Sequence, residues 1–383
     1  MSQLHHATPN ATDPAEMSER RRFQGGGWRF VQLLGVLMLF LFAISLMSGS
    51  FTVLGQGLVK DLLEITSNPF VGLFIGLLAT AVVQSSSTTT SKLVGLVAGG
   101  GMEISQAIPI IMGANVGTSV TSTIVSLGLI GNREEYQRAV AVSGLHNFFN
   151  ILTVIILFVL EISTHFLSTT TMYLTSWIGA KAGSEGGVLE MLSPLSRAVV
   201  DAFPDESVIP ALLALLTLFV SLRGLVWVFK KLVIGRLKEN LDRVVFSGPR
   251  RALLSGFVST AAVQSSSVTT SLMVPLVATG KVQVGIAFSF IMGANVGTTI
   301  TALVAAIFVG GAFPQTALAV AFAHFLLNCI GVLLFFPIPF LRQLPINLAE
   351  KLGALAFRSR AYGVAYVVIV FFLLPALLIF TGT

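Results

Sequence analysis

The sequence predicts an all-α polytopic membrane protein with two inverted-topology repeats, each holding a re-entrant helical hairpin and a broken transmembrane helix. Three observations lead there. The 383 residues are 54% hydrophobic and only 10% charged, with a mean hydropathy of +0.87, whereas a soluble domain carries roughly 25% charged residues. A long stretch occurs twice. GLLATAVVQSSSTTTSKLVGLVAGGGMEISQAIPIIMGANVGTSVT over 76–121 returns as GFVSTAAVQSSSVTTSLMVPLVATGKVQVGIAFSFIMGANVGTTIT over 256–301. The offset is 180 residues both from Gln84 to Gln264 and from Asn115 to Asn295, so QSSSxTTS and IMGANVGT recur without a gap between them. Such repeats set the architecture. Finally, the apolar pieces on either side of QSSS are too short to cross a bilayer.

Residues 1–27 are polar, with Arg20, Arg21 and Arg22, and read as a flexible cytoplasmic tail with no cleaved leader. Residues 28–160 form repeat 1. A spanning helix covers 28–48, about the ~20 residues required, and an amphipathic linker covers 50–67. Apolar pieces 69–83 and 92–101 flank QSSSTTTS; at ~1.5 Å per residue neither crosses a ~30 Å hydrocarbon core, which makes them a hairpin whose tip lies deep in the membrane. A span over 104–130 is interrupted at Gly113, Asn115 and Gly117. A charged turn, 132–138, leads to a helix over 139–160 carrying His146, Asn147 and Asn150. Residues 161–207, with Glu161, Glu185, Glu190, Asp201, Asp205 and Glu206, form a polar extracellular connection. Repeat 2, 208–337, has a helix over 208–229, a basic linker over 230–251, a hairpin over 252–280, a broken span over 283–310 and a helix over 316–337 with His324 and Asn328. A linker over 338–361 and a C-terminal transmembrane helix over 362–381 complete 338–383. Placing the tail and the basic linker inside and the acidic connection outside makes the halves opposite in orientation.

Composition also excludes. Cys329, the single cysteine, permits no intrachain disulfide and no cysteine metal site. The net charge of +6 belongs to basic loops at a membrane surface, so no nucleic-acid partner is expected. No organic cofactor and no transition metal are expected.

Inverted repeats with broken helices are the signature of secondary transporters, with the site at the repeat interface. A hairpin tip exposes the start of its second helix, where free N–H groups favour phosphate-like anions. Gln84, Ser85, Ser86, Ser87 and their counterparts Gln264, Ser265, Ser266, Ser267 add neutral donors. The competing account is that these hydroxyls bond back to their own helices and join them to neighbours; duplication of eight positions favours binding. At GANVGT, unwound carbonyls, the Asn115 and Asn295 side chains and the hydroxyls of Thr118, Thr121, Thr298 and Thr301 are hard oxygen ligands suited to an alkali cation. The alternative there is glycine-rich close packing. His146 and His324 read as helix-to-helix hydrogen-bond partners, and Lys92, opposite Leu272 in the repeat, as a snorkelling side chain. A membrane-embedded serine hydrolase would need an activated Ser–His pair, and no GxSxG turn occurs. An anion channel is a further alternative.

At its paired QSSS and IMGANVGT motifs the sequence resembles the type II sodium–phosphate cotransporters, over roughly 30–160 and 208–337. The resemblance implies a sodium-coupled symporter for inorganic phosphate, working by elevator-like alternating access, in the cytoplasmic (inner) membrane; another oxyanion is the alternative substrate. It implies phosphate at Gln84, Ser85, Ser86, Ser87, Asn115, Ser265, Ser266 and Ser267. Sodium is implied at Gln264, Ala294, Asn295, Thr298 and Thr301, with another near Asn150. The partners are thus phosphate, sodium and membrane lipid, with a homo-oligomer left open. Asn147 and Asn132 stand where electrogenic animal members carry acidic residues, and 161–207 lacks the cysteines of their longer external loop.

Overall fold

A computed structural model describes residues 66–182, 188–204, 207–214, 247–308 and 313–382, with scattered positions in 31–50 and 216–224. The expected tail, first linker and basic linker lie wholly or largely outside the described residues, as do parts of the 28–48 and 208–229 helices. Most of the basic charges that would orient the halves lie there too, whereas Arg250, Arg251, Glu161 and Asp201 are described.

Both hairpins form. Helices α1 (Pro69–Val83) and α2 (Ser86–Ala98) make the first. The second, α8 (Pro249–Val263) and α9 (Ser266–Ala278), repeats it residue for residue. In each, one residue reverses the chain: Gln84 at φ 58° and Gln264 at φ 55°, both left-handed. The next serine is extended and caps the second helix. Ser85 Oγ accepts from Thr88 N at 3.2 Å and Ser265 Oγ from Val268 N at 3.3 Å. The arms are braced internally by Thr80–Thr89 at 2.9 Å and Thr260–Thr269 at 2.7 Å. At ~1.5 Å per residue, arms of 15 and 13 residues reach about 20 Å.

Each first arm lies against the GANVGT helix of its own half at backbone contact. A methyl on Gly76 would overlap the carbonyl oxygen of Ile110, and one on Gly113 that of Leu73. Gly256 and Gly293 stand in the same relation to Phe290 and Leu253. This corrects the expected breaks. The second GANVGT sits inside an unbroken helix, α10 (Val284–Phe308). The first ends α3 (Ile104–Gly117), and only Thr118 and Ser119 separate it from α4 (Val120–Leu127), both in right-handed conformations. The carbonyls there are not unwound, and the glycines serve close packing. The slip in the first half has a local cause. Ser119 O accepts from Ser122 Oγ at 3.0 Å and Thr123 Oγ1 at 2.9 Å, a competition with the helical ladder that Ala302 and Leu303 cannot offer at the equivalent places.

Helix α5 (Arg133–Thr164) is longer than expected at both ends. Asn132 caps it, accepting from Glu134 N at 3.1 Å and Glu135 N at 3.4 Å, and two glutamates in the first turn complement the dipole, so the charged turn is helix. Much of the expected polar connection is also helical, as α6 (Phe166–Ala182) and α7 (Val188–Val200). Glu161 is buried rather than solvated because it caps α6, accepting from Leu167 N at 2.6 Å and from the Ser168 hydroxyl. Helix α11 (Pro314–Phe335) follows as expected. The expected linker 338–361 is instead α12 (Pro339–Arg358), packed along α5. The last span comprises α13 (Arg360–Val368), a π-turn at Ile369–Leu373 and α14 (Leu374–Gly382). Among the described residues five helices are long and apolar enough to cross a membrane: 104–127, 133–164, 284–307, 314–335 and 360–382.

The glycine contacts give a stability prediction. Gly113→Ala and Gly293→Ala must force helices apart, at about 1–3 kcal/mol or more, read as a lower unfolding temperature of the detergent-purified protein. Gly285→Ala, at the second residue of α10, meets nothing within 4 Å, so its unfolding temperature should not fall. Equal shifts in all three would contradict the packing account.

Candidate functional site

The hairpin tips meet between the halves. Ser87 Oγ lies 3.1 Å from Thr298 Oγ1 and 3.3 Å from Thr298 O, which joins the first tip to the second GANVGT helix. Ser267 Oγ donates to Gln84 O at 2.9 Å, which joins the second tip to the first. Ser86 and Ser266 are each 2% exposed. As first-turn residues, Ser86 and Ser87, and likewise Ser266 and Ser267, hold backbone N–H groups outside the helical ladder. Gln84 is exposed while Gln264 is buried, so the two tips are not equivalent.

Behind the tips lies an amide network. Asn150 Oδ1 accepts from Asn295 Nδ2 at 2.6 Å and Asn115 Nδ2 at 3.2 Å, and Asn150 Nδ2 donates to Asn115 O at 2.8 Å. Asn295 Oδ1 faces His146 Nε2 at 2.8 Å. With the other end of Asn295 donating to Asn150, that oxygen must accept, so His146 carries its proton on Nε2. His324 Nδ1 lies 3.4 Å from Thr90 Oγ1. Each histidine therefore bridges to the other half.

The structure thus brings Asn115, Asn150 and Asn295 together, but the Asn150 and Asn295 oxygens already receive N–H donors. Of the other residues expected at sodium, Ala294 is fully buried against α8 and Thr298 bonds to Ser87. Gln264 Oε1 and Thr301 Oγ1 are buried with no partner among the described residues. A buried oxygen without a donor costs about 1–3 kcal/mol, and a cation would relieve that cost. Thr121, the counterpart of Thr301, is likewise unpartnered. Among the described residues the one carboxylate buried in the core is Glu161, 11 residues or about 16 Å along α5 from Asn150. The described groups at the tips are neutral, with Lys92 half-buried about two helical turns from Ser85.

Sequence reasoning missed one part of this surrounding. Asn147 Oδ1 accepts from Ser119 Oγ at 2.9 Å, and Asn147 Nδ2 donates to the Tyr366 hydroxyl. Tyr366 lies in the last span, outside both repeats. That apolar segment carries two hydroxyl-bearing rings, Tyr362 and Tyr366, and nothing in the sequence marks which of them finds a partner.

The profile of the Na+/Pi-cotransporter family matches residues 39–176 and 217–347. Sodium-dependent phosphate transport protein 2B of Pongo abelii is 31% identical over 449 residues, covering 92% of this chain, and the Homo sapiens 2B protein matches equally. Sodium-dependent phosphate transport protein 2A of Rattus norvegicus is 31% identical over 422 residues, covering 90% of the chain. The chain spans about two thirds of these relatives' length, 65% for the 2B proteins. No solved structure matches.

The amide network generates its own prediction. Asn150→Ala leaves the Asn115 and Asn295 amides and the Asn115 carbonyl without partners, at about 1–3 kcal/mol per group. Asn328→Ala removes only a bond to the His324 carbonyl of its own helix. Thermal unfolding should show the larger loss for Asn150→Ala; the reverse order would refute the network's structural role.

Proposed function

Since the chain belongs to the Na+/Pi-cotransporter family, we propose that it is a sodium-coupled symporter that imports inorganic phosphate across the cytoplasmic membrane by alternating access, and not an enzyme. In this reading the halves, 28–160 and 208–337, are inverted repeats. The hairpins are re-entrant, since arms of about 20 Å fall short of a ~30 Å core. The observation that carries the reading is the pair of contacts that the capped QSSS tips make across the halves, Ser87 with Thr298 of α10 and Ser267 with Gln84 of the other tip.

Phosphate is held between the tips by Gln84, Ser85, Ser86, Ser87, Ser265, Ser266 and Ser267, with Asn115 behind. Paired first turns offer backbone N–H groups and hydroxyls, the donor set an oxyanion requires. Sodium is held by Gln264, Ala294, Asn295, Thr298 and Thr301, with a further ion near Asn150. The unpartnered oxygens of Gln264 and Thr301 support the first of these sites. Asn150 and Asn295 reach an ion only by giving up their present partners.

Coupling follows from electrostatics. Phosphate at neutral pH carries between one and two negative charges, and the tips supply dipoles but no full countercharge. An uncompensated ion at bilayer depth costs on the order of several kcal/mol, and sodium removes that cost. Loaded together, the two ions make an occluded state that neither makes alone.

Radiolabelled phosphate uptake into proteoliposomes tests this. Uptake should require an inward sodium gradient and vanish in choline or potassium medium. Ser86→Ala and Ser266→Ala should cut uptake at least tenfold with normal expression, and Gln264→Ala and Thr298→Ala should weaken the sodium dependence. Sodium-independent uptake, or wild-type phosphate affinity in both serine variants, would refute the mechanism. Lys92→Met should retain most uptake, because Leu272 occupies the equivalent place; complete loss in a folded protein would make Lys92 an anion ligand.

A further inference from the structure

At the base of the second hairpin, some 22 Å of helix from its tip (15 residues at ~1.5 Å), the chain forms a cleft of about 700 Å³ that the transport reading does not use. Arg250, Arg251 and Arg342 line it together with Phe336 and Pro337, and among the described residues no acidic side chain does. Arg342 is held in place. Its Nη2 donates to Gly285 O at 3.0 Å and to Ser289 Oγ at 2.9 Å, and its guanidinium lies over the Phe336 ring at 5.5 Å. Arg251 donates through Nη1 to Ser247 Oγ at 3.0 Å, and Arg250 has no partner among the described residues. Three arginines gathered with no carboxylate among the described residues repel one another unless an anion joins them, and guanidinium forks match the paired oxygens of a phosphate group.

The repeat shows that this basic cleft is not a consequence of the fold. At the equivalent base of the first hairpin, Asn68 caps the helix, accepting from Phe70 N at 3.0 Å, and reaches Gly382 O at 3.5 Å. The residues matching Arg250 and Arg251 there are Phe70 and Val71. The second base has no side-chain cap at Gly248.

The surroundings distinguish a lipid from a free ion. Arg251, Leu254 and Val258 follow one another at helical spacing on one face of α8, and Leu333 lies one turn from Phe336 on α11. Leu254 is 60% exposed, Val258 46% and Leu333 68%. The cleft therefore stands at the head of two apolar strips, just beyond the end of a membrane-crossing helix, and basic pockets so placed take phospholipid headgroups. We infer that this cleft binds the phosphodiester headgroup of an anionic phospholipid, with its acyl chains along α8 and α11.

Native mass spectrometry of the detergent-purified full chain tests the inference, using dioleoyl phosphatidylglycerol, dioleoyl phosphatidylcholine and inorganic phosphate as separate probes. The wild type should retain phosphatidylglycerol in preference to phosphatidylcholine. Arg250→Gln/Arg251→Gln, both exposed and therefore compatible with folding, should weaken retention at least tenfold, and Arg342→Gln should do so as well. Millimolar inorganic phosphate should not displace the lipid. Equal retention by the wild type and the double variant would overturn the assignment, and so would displacement by inorganic phosphate, which would make the ligand a free anion. The readout is binding rather than uptake, so failure here leaves the transport reading standing.

Discussion

A hairpin too short to cross a bilayer needs a partner along its whole length, and here backbone contact provides it. Gly76, Gly113, Gly256 and Gly293 bring the first arm of each hairpin onto the GANVGT helix so closely that a methyl at any of the four would strike a carbonyl oxygen. Apolar packing between helices gains little over packing against lipid, so small residues that let backbones approach do much of the joining. The position of each tip, and of the first-turn N–H groups it carries, follows from those contacts.

The duplicated sequence does not give duplicated bonding across the interface. Ser87 meets a threonine on α10, whereas its counterpart Ser267 meets the backbone of Gln84. Asn295 spans His146 and Asn150, whereas Asn115 bonds only to Asn150. Within each half, by contrast, the serine caps at the tips, the threonine braces and the glycine contacts repeat closely. Local structure thus obeys the repeat and the interface departs from it, as in a molecule whose two halves occupy different positions about a shared centre.

Much of this was legible in the sequence. Duplication located the hairpins, and arm length together with the polar tract located the tips at Gln84–Ser85 and Gln264–Ser265. The GANVGT stretch misled because glycine in an apolar helix has two uses, breaking and close approach, and one chain read alone cannot separate them; the hydrophobic face that Gly113 must meet lies 40 residues away, at Leu73. Helix α12 read as a linker because its charges and two prolines hide an apolar face that packs on α5. Glu161 read as solvated because its partners, the amides that open α6, are backbone groups common to every sequence. Tyr366 was out of reach, since its partner Asn147 lies 219 positions earlier.

The reversal at Gln84 and Gln264 takes place in one residue, with helix on one side and a capping serine on the other. Such a tip has no slack. A flexible loop could flicker open in nanoseconds, but a turn of this kind transmits any displacement of one arm to the other. Exposure of whatever the tips enclose must then await collective motion of helices, on the microsecond-to-millisecond scale. Any such motion must work against the glycine-lined contacts along the arms, far from the tips themselves.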